Sequence, residues 1–282
     1  MKRPTKIVQS EIANASVTRT TRSKNILGFL AAICLLIVAA ASLSAQDSKR
    51  VPQNDPRTAS VGQLYFYSIK DRPAFGEGYR HHLGWHAAHN DPLVWYAWTV
   101  DSGARKGTFV DGAFGATFAG LDARVDLSGD GADFVRNVTP YVTPLNIETW
   151  TLWASPSTAT PLEDHHPETT LDVFLLQVDP AESVSFEAAV EKLAKTKRAP
   201  TKLSWYRAVR GNNLPTYLLM LTRKNWADVE TAGPTFGEML ANAYAGTSAQ
   251  VADVLRHVHS IRTETWDYEP RLSLIPGHSL EP

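Results

Sequence analysis

WYRAVRGNNLPTYLLMLTRKNW, Trp205 to Trp226, decides the fold, because an earlier stretch has the same plan. Trp95 to Phe118 reads WYAWTVDSGARKGTFVDGAFGATF, and both stretches begin Trp-Tyr, break at a glycine and resume with Thr-aromatic. Both also close on an aromatic followed by alanine, Phe118-Ala119 and Trp226-Ala227. Working outward, Leu64-Tyr65-Phe66-Tyr67 answers Leu171-Asp172-Val173-Phe174, and Glu148-Thr149-Trp150 answers Glu264-Thr265-Trp266. The landmarks are separated by 107, 110, 108 and 116 residues and keep their order, which chance matches do not. The chain therefore reads as an internal duplication.

Around each landmark the apolar periodicity gives the same order of elements. In the first copy a strand at Leu64 to Lys70 precedes a helix from Phe75 to Asn90, which Asn90-Asp91-Pro92 stops. Gly76, Gly78 and Gly84 weaken that helix. Strands follow at Leu93 to Val100 and Thr108 to Phe118, then a short helix near Asp133 to Tyr141 and a strand from Asn146 to Trp153. The second copy reads as strand Thr170 to Val178, helix Ser183 to Thr196, strands Lys202 to Arg210 and Pro215 to Thr222, helix Phe236 to His259 broken at Gly246, and strand Thr263 to Leu272. In its first helix Phe186, Val190 and Leu193 form one apolar stripe. β-α-β-β-α-β is the split arrangement of a ferredoxin-like unit, a four-stranded antiparallel sheet with helices on one face. The fold class is thus α+β, tandem ferredoxin-like repeats with antiparallel sheets.

The chain divides into residues 1–45, a leader; 46–61, a tether; 62–155, the first repeat; 156–169, a linker rich in Pro, Ser and Thr; 170–276, the second repeat; and 277–282, a tail. The leader has Lys2, Arg3, Lys6, Arg19, Arg22 and Lys24 ahead of the apolar run Ile26 to Ala41, then Ser42, Ser44 and Ala45. That layout is an export signal, with cleavage after the small residues or retention as a membrane anchor as its two outcomes. The expected location is periplasmic or extracellular. Cys34, the one cysteine, lies in this leader, so the exported part has neither a disulfide nor a thiol nucleophile. With 28 Lys and Arg against 29 Asp and Glu, no overall field recruits nucleic acid.

Two such units in one chain, with the hairpin Trp205-Tyr206…Gly211…Thr216-Tyr217 and the following Trp226-Ala227-Asp228, resemble a dimeric α/β-barrel protein fused in tandem. That superfamily includes NIPSNAP-like proteins, stress-responsive barrel proteins, small cofactor-free monooxygenases and haem-binding chlorite-dismutase-like proteins. The resemblance covers roughly residues 62 to 275. It implies that the two sheets meet face to face around a cavity and that no second copy is required, because the chain is its own pseudo-dimer. No catalytic signature of any member is matched.

The densest candidate chemistry is Tyr79-Arg80-His81-His82-Leu83-Gly84-Trp85-His86-Ala87-Ala88-His89. At helical spacing His82, His86 and His89 share a narrow arc with Phe75 and Tyr79, so the imidazoles point inward and need partners. His82 and His86, four apart, could share one metal, but His89 is too distant to join them, and the glutamate of a zinc-protease helix is missing at Leu83. Glu148 and Glu264 recur two residues before Trp150 and Trp266, on one strand face, where twin carboxylates inside a barrel would orient a polar ligand and exposed ones would be solvated acids. Arg207 shares the face of Trp205, as an anion anchor or a snorkelling side chain. Asp126, Asp130 and Asp133 in DLSGDGAD fail the calcium-loop spacing and read as a loop. His257 and His259 are the haem-ligand candidates of the second repeat, His257 pointing away from the buried stripe and His259 marginal.

The functional expectation is an exported protein that binds a small, largely apolar ligand in or near a barrel cavity, with no tightly held cofactor and no metal. The ligand-binding set is His82, His86, His89, Tyr79, Glu148, Glu264 and Arg207. Two alternatives stand beside it: a cofactor-free oxygenase or isomerase with a helix histidine as base, and a haem-binding protein.

Overall fold

The computed structural model describes residues 61–124, 126–158, 162, 168–196 and 202–280. The leader, the tether up to residue 60 and most of the linker lie outside the described residues, Val61 already belonging to the first strand, and among those described no helix is long and apolar enough to cross a membrane.

The first repeat comprises β1 (Val61–Ile69), α1 (Arg72–Ala88), β2 (Val94–Ser102), β3 (Phe109–Ala116), α2 (Phe118–Asp122), α3 (Leu127–Asn137) and β4 (Val142–Leu152). The second comprises β5 (Thr170–Val178), α4 (Ser183–Ala194), β6 (Leu203–Arg210), β7 (Thr216–Arg223), α5 (Ala227–Ala232), α6 (Phe236–Tyr244), α7 (Ser248–Leu255) and β8 (Val258–Tyr268). Within each repeat the strand order is the ferredoxin-like one, β4-β1-β3-β2 and β8-β5-β7-β6. The two sheets then join edge to edge, β2 to β8 and β6 to β4, both antiparallel, so that eight strands close into one barrel.

Strand alternation explains why Trp-Tyr marks both repeats. Trp95 and Trp205 point outward beneath the helices of their own repeats, while Tyr96 and Tyr206 point into the lumen. The sequence leads to the expectation of a cavity between the two sheet faces. Instead Phe66, Trp98, Phe114, Trp150, Met220 and Trp266 fill the lumen against one another. An eight-stranded barrel is just wide enough for its own side chains, and aromatic residues of this size use up that space.

The helices follow their caps. Asp71 accepts a hydrogen bond from the Ala74 amide at 3.1 Å to start α1, with Pro73 in the first turn. The glycines of α1 have different roles. A Cβ on Gly78 would sit 1.9 Å from the Asn137 carbonyl oxygen, so Gly78 lets α1 and α3 touch, whereas Gly76 and Gly84 face open space. α6 and α7 each begin with a full capping box, Thr235 with Glu238 and Thr247 with Gln250, and Ala245 in the left-handed region separates them where the break is expected. One reading is corrected here. DLSGDGAD is not a loop but the start of α3, capped by Asp126, whose side chain accepts from the Gly129 amide at 2.9 Å.

A buried histidine-carboxylate cluster in the first repeat

Two helix-to-sheet layers flank the barrel, and they are built differently. In the second repeat α4 buries Phe186, Ala189, Val190, Leu193 and Ala194 against Trp205, Leu219, Met239 and Leu240. In the first repeat α1 buries Phe75, Tyr79 and Leu83 together with two histidines, His82 and His86, at 4% and 0% exposure.

These two imidazoles lie one helical turn apart, with their Nε2 atoms 3.2 Å from each other. The far nitrogen of each ring meets a carboxylate: His82 Nδ1 lies 2.9 Å from Asp133 Oδ2, and His86 Nδ1 lies 2.7 Å from Asp91 Oδ2. A carboxylate can only accept here, so each Nδ1 carries the proton and donates. Asp130 Oδ1 then stands 3.4 Å from His82 Nε2 and 3.5 Å from His86 Nε2. Every carboxylate is itself held. Arg124 donates from Nη2 to Asp91 at 3.1 Å and to Asp130 at 3.0 Å, and Asn137 donates to Asp133 at 2.9 Å. Asp91 also accepts from the Leu93 amide at 3.0 Å.

Burial works against the charge on Asp91, but the His86 hydrogen bond and Arg124 outweigh it and hold the carboxyl below its ordinary range. Burial and then the neighbouring His86 push the His82 pKa down, against the pull of Asp133 and Asp130. Beneath the cluster, β3 supplies Asp111, which burial raises to about 7 and whose Oδ1, like the Tyr79 hydroxyl, is buried without a hydrogen-bond partner among the described residues. Burial also raises Tyr65, Tyr67 and Tyr79, so all three are neutral phenols at ordinary pH.

The remaining candidates fall elsewhere. His89 does not share the buried arc; it is the exposed C-cap of α1, donates from Nδ1 to Trp85 O at 2.8 Å and stacks on the Trp85 ring at 3.9 Å. The helix ends one residue too soon to carry it inward. Glu148 and Glu264 are not solvated acids. Both are 2% exposed and meet at the barrel mouth on Arg105, which comes from the β2–β3 turn. Arg105 donates to both oxygens of Glu264 (Nε at 2.9 and 3.1 Å, Nη2 at 2.9 Å) and to Glu148 (Nη1 at 3.3 Å). Each glutamate also accepts from the indole of its own i+2 tryptophan, Trp150 at 3.2 Å and Trp266 at 2.9 Å. Burial raises the Glu148 pKa, with Arg105 acting against it. Arg207 belongs to neither group. It pairs with Glu187 of α4 at 2.9 Å and covers the Trp153 ring at 3.9 Å, half-exposed on the outer layer of the second repeat.

The residues of the second repeat do not fit a haem. The layer that would hold it is filled by Phe186, Trp205 and Leu219, and the Trp205 indole donates into it, to the Tyr244 hydroxyl at 2.7 Å. Neither candidate axial histidine enters that layer: His257 is tied to Glu182 at 2.7 Å, and His259 lies exposed near Asp179.

The sequence matches no protein-family profile and no curated protein. Among solved structures, a protein described as a candidate monooxygenase from Lactobacillus acidophilus NCFM is similar in fold, with a TM-score of 0.52 and 14% identity over 74% of this chain and 94% of that one. A second candidate monooxygenase, from Fusobacterium nucleatum, scores 0.49 at 8% identity over 75% and 93%. A chlorite dismutase mutant from Candidatus Nitrospira defluvii scores 0.45 at 9% identity over 75% and 91%. The first likeness shows the fold, the dimeric α+β barrel built from ferredoxin-like units.

Sequence reasoning missed Asp91, Asp111, Arg124 and Arg105, and it set Asp130 and Asp133 aside. Asp91 had a signal, since it sits in the Asn-Asp-Pro stop directly after the His-rich turn. Asp111 also had one, an acid inside a strand otherwise made of Phe, Val, Gly and Ala.

Proposed function

We propose that this chain is an exported small-molecule enzyme whose site is the layer between α1, α3 and the sheet of the first repeat, with the His82–His86 cluster at its reactive end. One observation carries the reading: the two repeats share a backbone plan, yet only the first replaces apolar burial with a hydrogen-bonded cluster of histidines and carboxylates, beside which the Tyr79 hydroxyl, Asp111 Oδ1 and Arg124 Nε are buried without a partner among the described residues. Burying such groups forgoes roughly 1.5–3 kcal/mol per apolar side chain replaced and requires partners for every polar atom. Natural chains accept that where a site has been built.

The residue types of the layer match a planar, largely apolar molecule with one polar edge, which would enter by parting rings that now pack on one another, Phe75 and Tyr79 on Phe109. Phe75, Phe109, Trp95 and three neutral tyrosines supply the aromatic walls, while Asp111 and the histidines supply the polar end. Half-buried Tyr65 and Asp130 mark the side nearest solvent. The less firmly held part of the cover over that side is α2, which buries no residue, whereas α3 is tied to α1 through Asp133 and the close approach at Gly78. The similar fold of a protein described as a monooxygenase makes an oxygenase-type reaction on a phenol the activity to try first. The resemblance to NIPSNAP-like and stress-responsive barrel proteins rests on the plan of two ferredoxin-like units alone and supplies no reaction. Export rests on the basic, apolar and small-residue order of residues 1–45, and N-terminal sequencing of the protein recovered from the host's periplasm or medium tests it.

1-Naphthol is a suitable probe of the site. On binding it should slow hydrogen exchange in α1 and α3. Protection confined to the cleft of about 220 Å³ lined by Asp172, Arg223, Trp226 and Phe236 in the second repeat would overturn the assignment.

A further inference from the structure

We propose that His82 Nε2, His86 Nε2 and Asp130 Oδ1 form a three-ligand site for one divalent first-row transition ion, zinc or a close relative, with a fourth position open to water or substrate. The inference rests on placing the functional site in the first repeat, and three independent features of the cluster lead to it.

The first is the direction of the lone pairs. Both Nδ1 atoms donate to carboxylates, so both Nε2 atoms present lone pairs, and they present them to each other at 3.2 Å and to a carboxylate oxygen at 3.4 and 3.5 Å. Three acceptors converging on one point repel unless a cation lies between them. A single proton on one Nε2 relieves one of the three contacts and leaves the other ring and Asp130 facing each other with none.

The second is size. Bonds of about 2.0–2.2 Å from zinc to nitrogen and oxygen, in tetrahedral array, set the donor atoms about 3.3–3.6 Å apart. The three edges here are 3.2, 3.4 and 3.5 Å. Octahedral ligation with the same bonds would bring neighbouring donors to about 2.8–3.1 Å, so the triangle fits the tetrahedral ion better. Two imidazoles and one carboxylate are also a ligand set that nitrogen-preferring transition ions choose over calcium or magnesium.

The third is the set of groups behind the ligands. Metal-bound histidines donate their other N–H to a carboxylate or carbonyl, which fixes the tautomer and aims the ring. Here Asp133 does so for His82, Asp91 does so for His86, and Arg124 holds the second oxygen of Asp130. Counting Asp91, Asp130 and Asp133 as carboxylates against Arg124, with neutral imidazoles, the buried cluster carries a formal charge of −2. A divalent cation brings it to zero.

The test uses the full chain, stripped with a chelator and titrated with Co(II), whose visible ligand-field bands report tetrahedral nitrogen and oxygen ligation. One Co(II) per chain is expected, displaced by Zn(II), with a rise in Tm on binding. His82→Leu combined with His86→Leu should remove the bands while the protein stays folded. Asp133→Asn and Asp91→Asn should weaken Co(II) by roughly 10–100-fold, as loss of an outer carboxylate does. Folded wild-type protein that gives no bands at stoichiometric Co(II), or a double leucine variant that binds as well as wild type, overturns the metal site. The two proposals separate cleanly. If Co(II) fails but 1-naphthol still protects α1 and α3, only the metal is wrong; if Co(II) binds and 1-naphthol protects elsewhere, the small-molecule assignment is wrong and the metal site stands.

Discussion

Replacing Arg105 with methionine removes the guanidinium that Glu148 and Glu264 share, while leaving an apolar stem to lie over Phe66, which the guanidinium now covers at 4.1 Å. Both carboxylates are 2% exposed, and afterwards the main donors that remain are the Trp150 and Trp266 indoles and Asn146. Breaking a buried ion pair from one side costs about 3–5 kcal/mol. Because the Arg105 side chain keeps 19% exposure, water can reach the gap, and the lower end, about 3 kcal/mol, is expected at pH 7. For a folded part of this length that lowers Tm by about 6–12 °C. The loss should depend on pH. Burial already raises the folded-state pKa of Glu148, so the folded protein holds that proton more tightly than the unfolded chain. Stability is then greatest below the ordinary carboxylate range and falls as pH rises through the raised value. Without Arg105 the pKa moves further up, so the penalty should shrink between pH 7 and pH 5. Urea unfolding of both proteins at the two pH values measures it. A loss below about 1 kcal/mol at pH 7, or one unchanged at pH 5, would show that the carboxylates do not need the arginine.

The same sign governs Asp111, whose carboxyl is raised to about 7: its contribution to stability should fall between about pH 4 and pH 7, opposite to that of His82 with its lowered pKa, so Asp111→Asn should shift the pH slope in urea titrations toward greater stability at the higher pH. A variant with the wild-type slope would show that Asp111 is not buried as described. The α1 glycines give a paired test by thermal unfolding. Gly84→Ala, facing open space, should stabilise by about 0.5–1 kcal/mol, whereas Gly78→Ala should destabilise and push α3 from α1, weakening Co(II) binding with it. Equal effects at the two positions would deny the close helix contact.

The fold was legible because its determinants are periodic and occur twice. Trp95-Tyr96 and Trp205-Tyr206 each send one ring to a helix layer and one to the lumen, a signal that period-2 alternation carries in sequence. Half of the candidate site was equally visible, since His82, His86 and Tyr79 share a helical face. Its other half comes from Asp91, five residues beyond His86 at the helix stop, and from Asp130 and Asp133, which lie 44 to 51 residues from the histidines they meet and reach them only by tertiary packing. The glycines of DLSGDGAD hid the first turns of α3, whose later part lies in the helix expected from Asp133, because helix propensity argues against them and the Asp126 cap and the contact at Gly78 favour them. The filled lumen was unreadable for another reason. Alternation says which residues point inward, but whether they leave a cavity depends on how the closed barrel fits their volumes.

The place of β8 between β2 and β5 governs how the chain is made. β8 is the last strand in sequence, and it pairs along its length with β5 and also binds the edge of β2. Until it arrives, the edge of β2 is left raw and β5 lacks its second neighbour, so a chain synthesised N-terminus first cannot lock the barrel until β8 has emerged. A stop codon ahead of Val258 would therefore not trim a tail. It would leave both repeats with open sheet edges ready to pair with any strand nearby, and such a truncated product should aggregate rather than fold as a shorter domain.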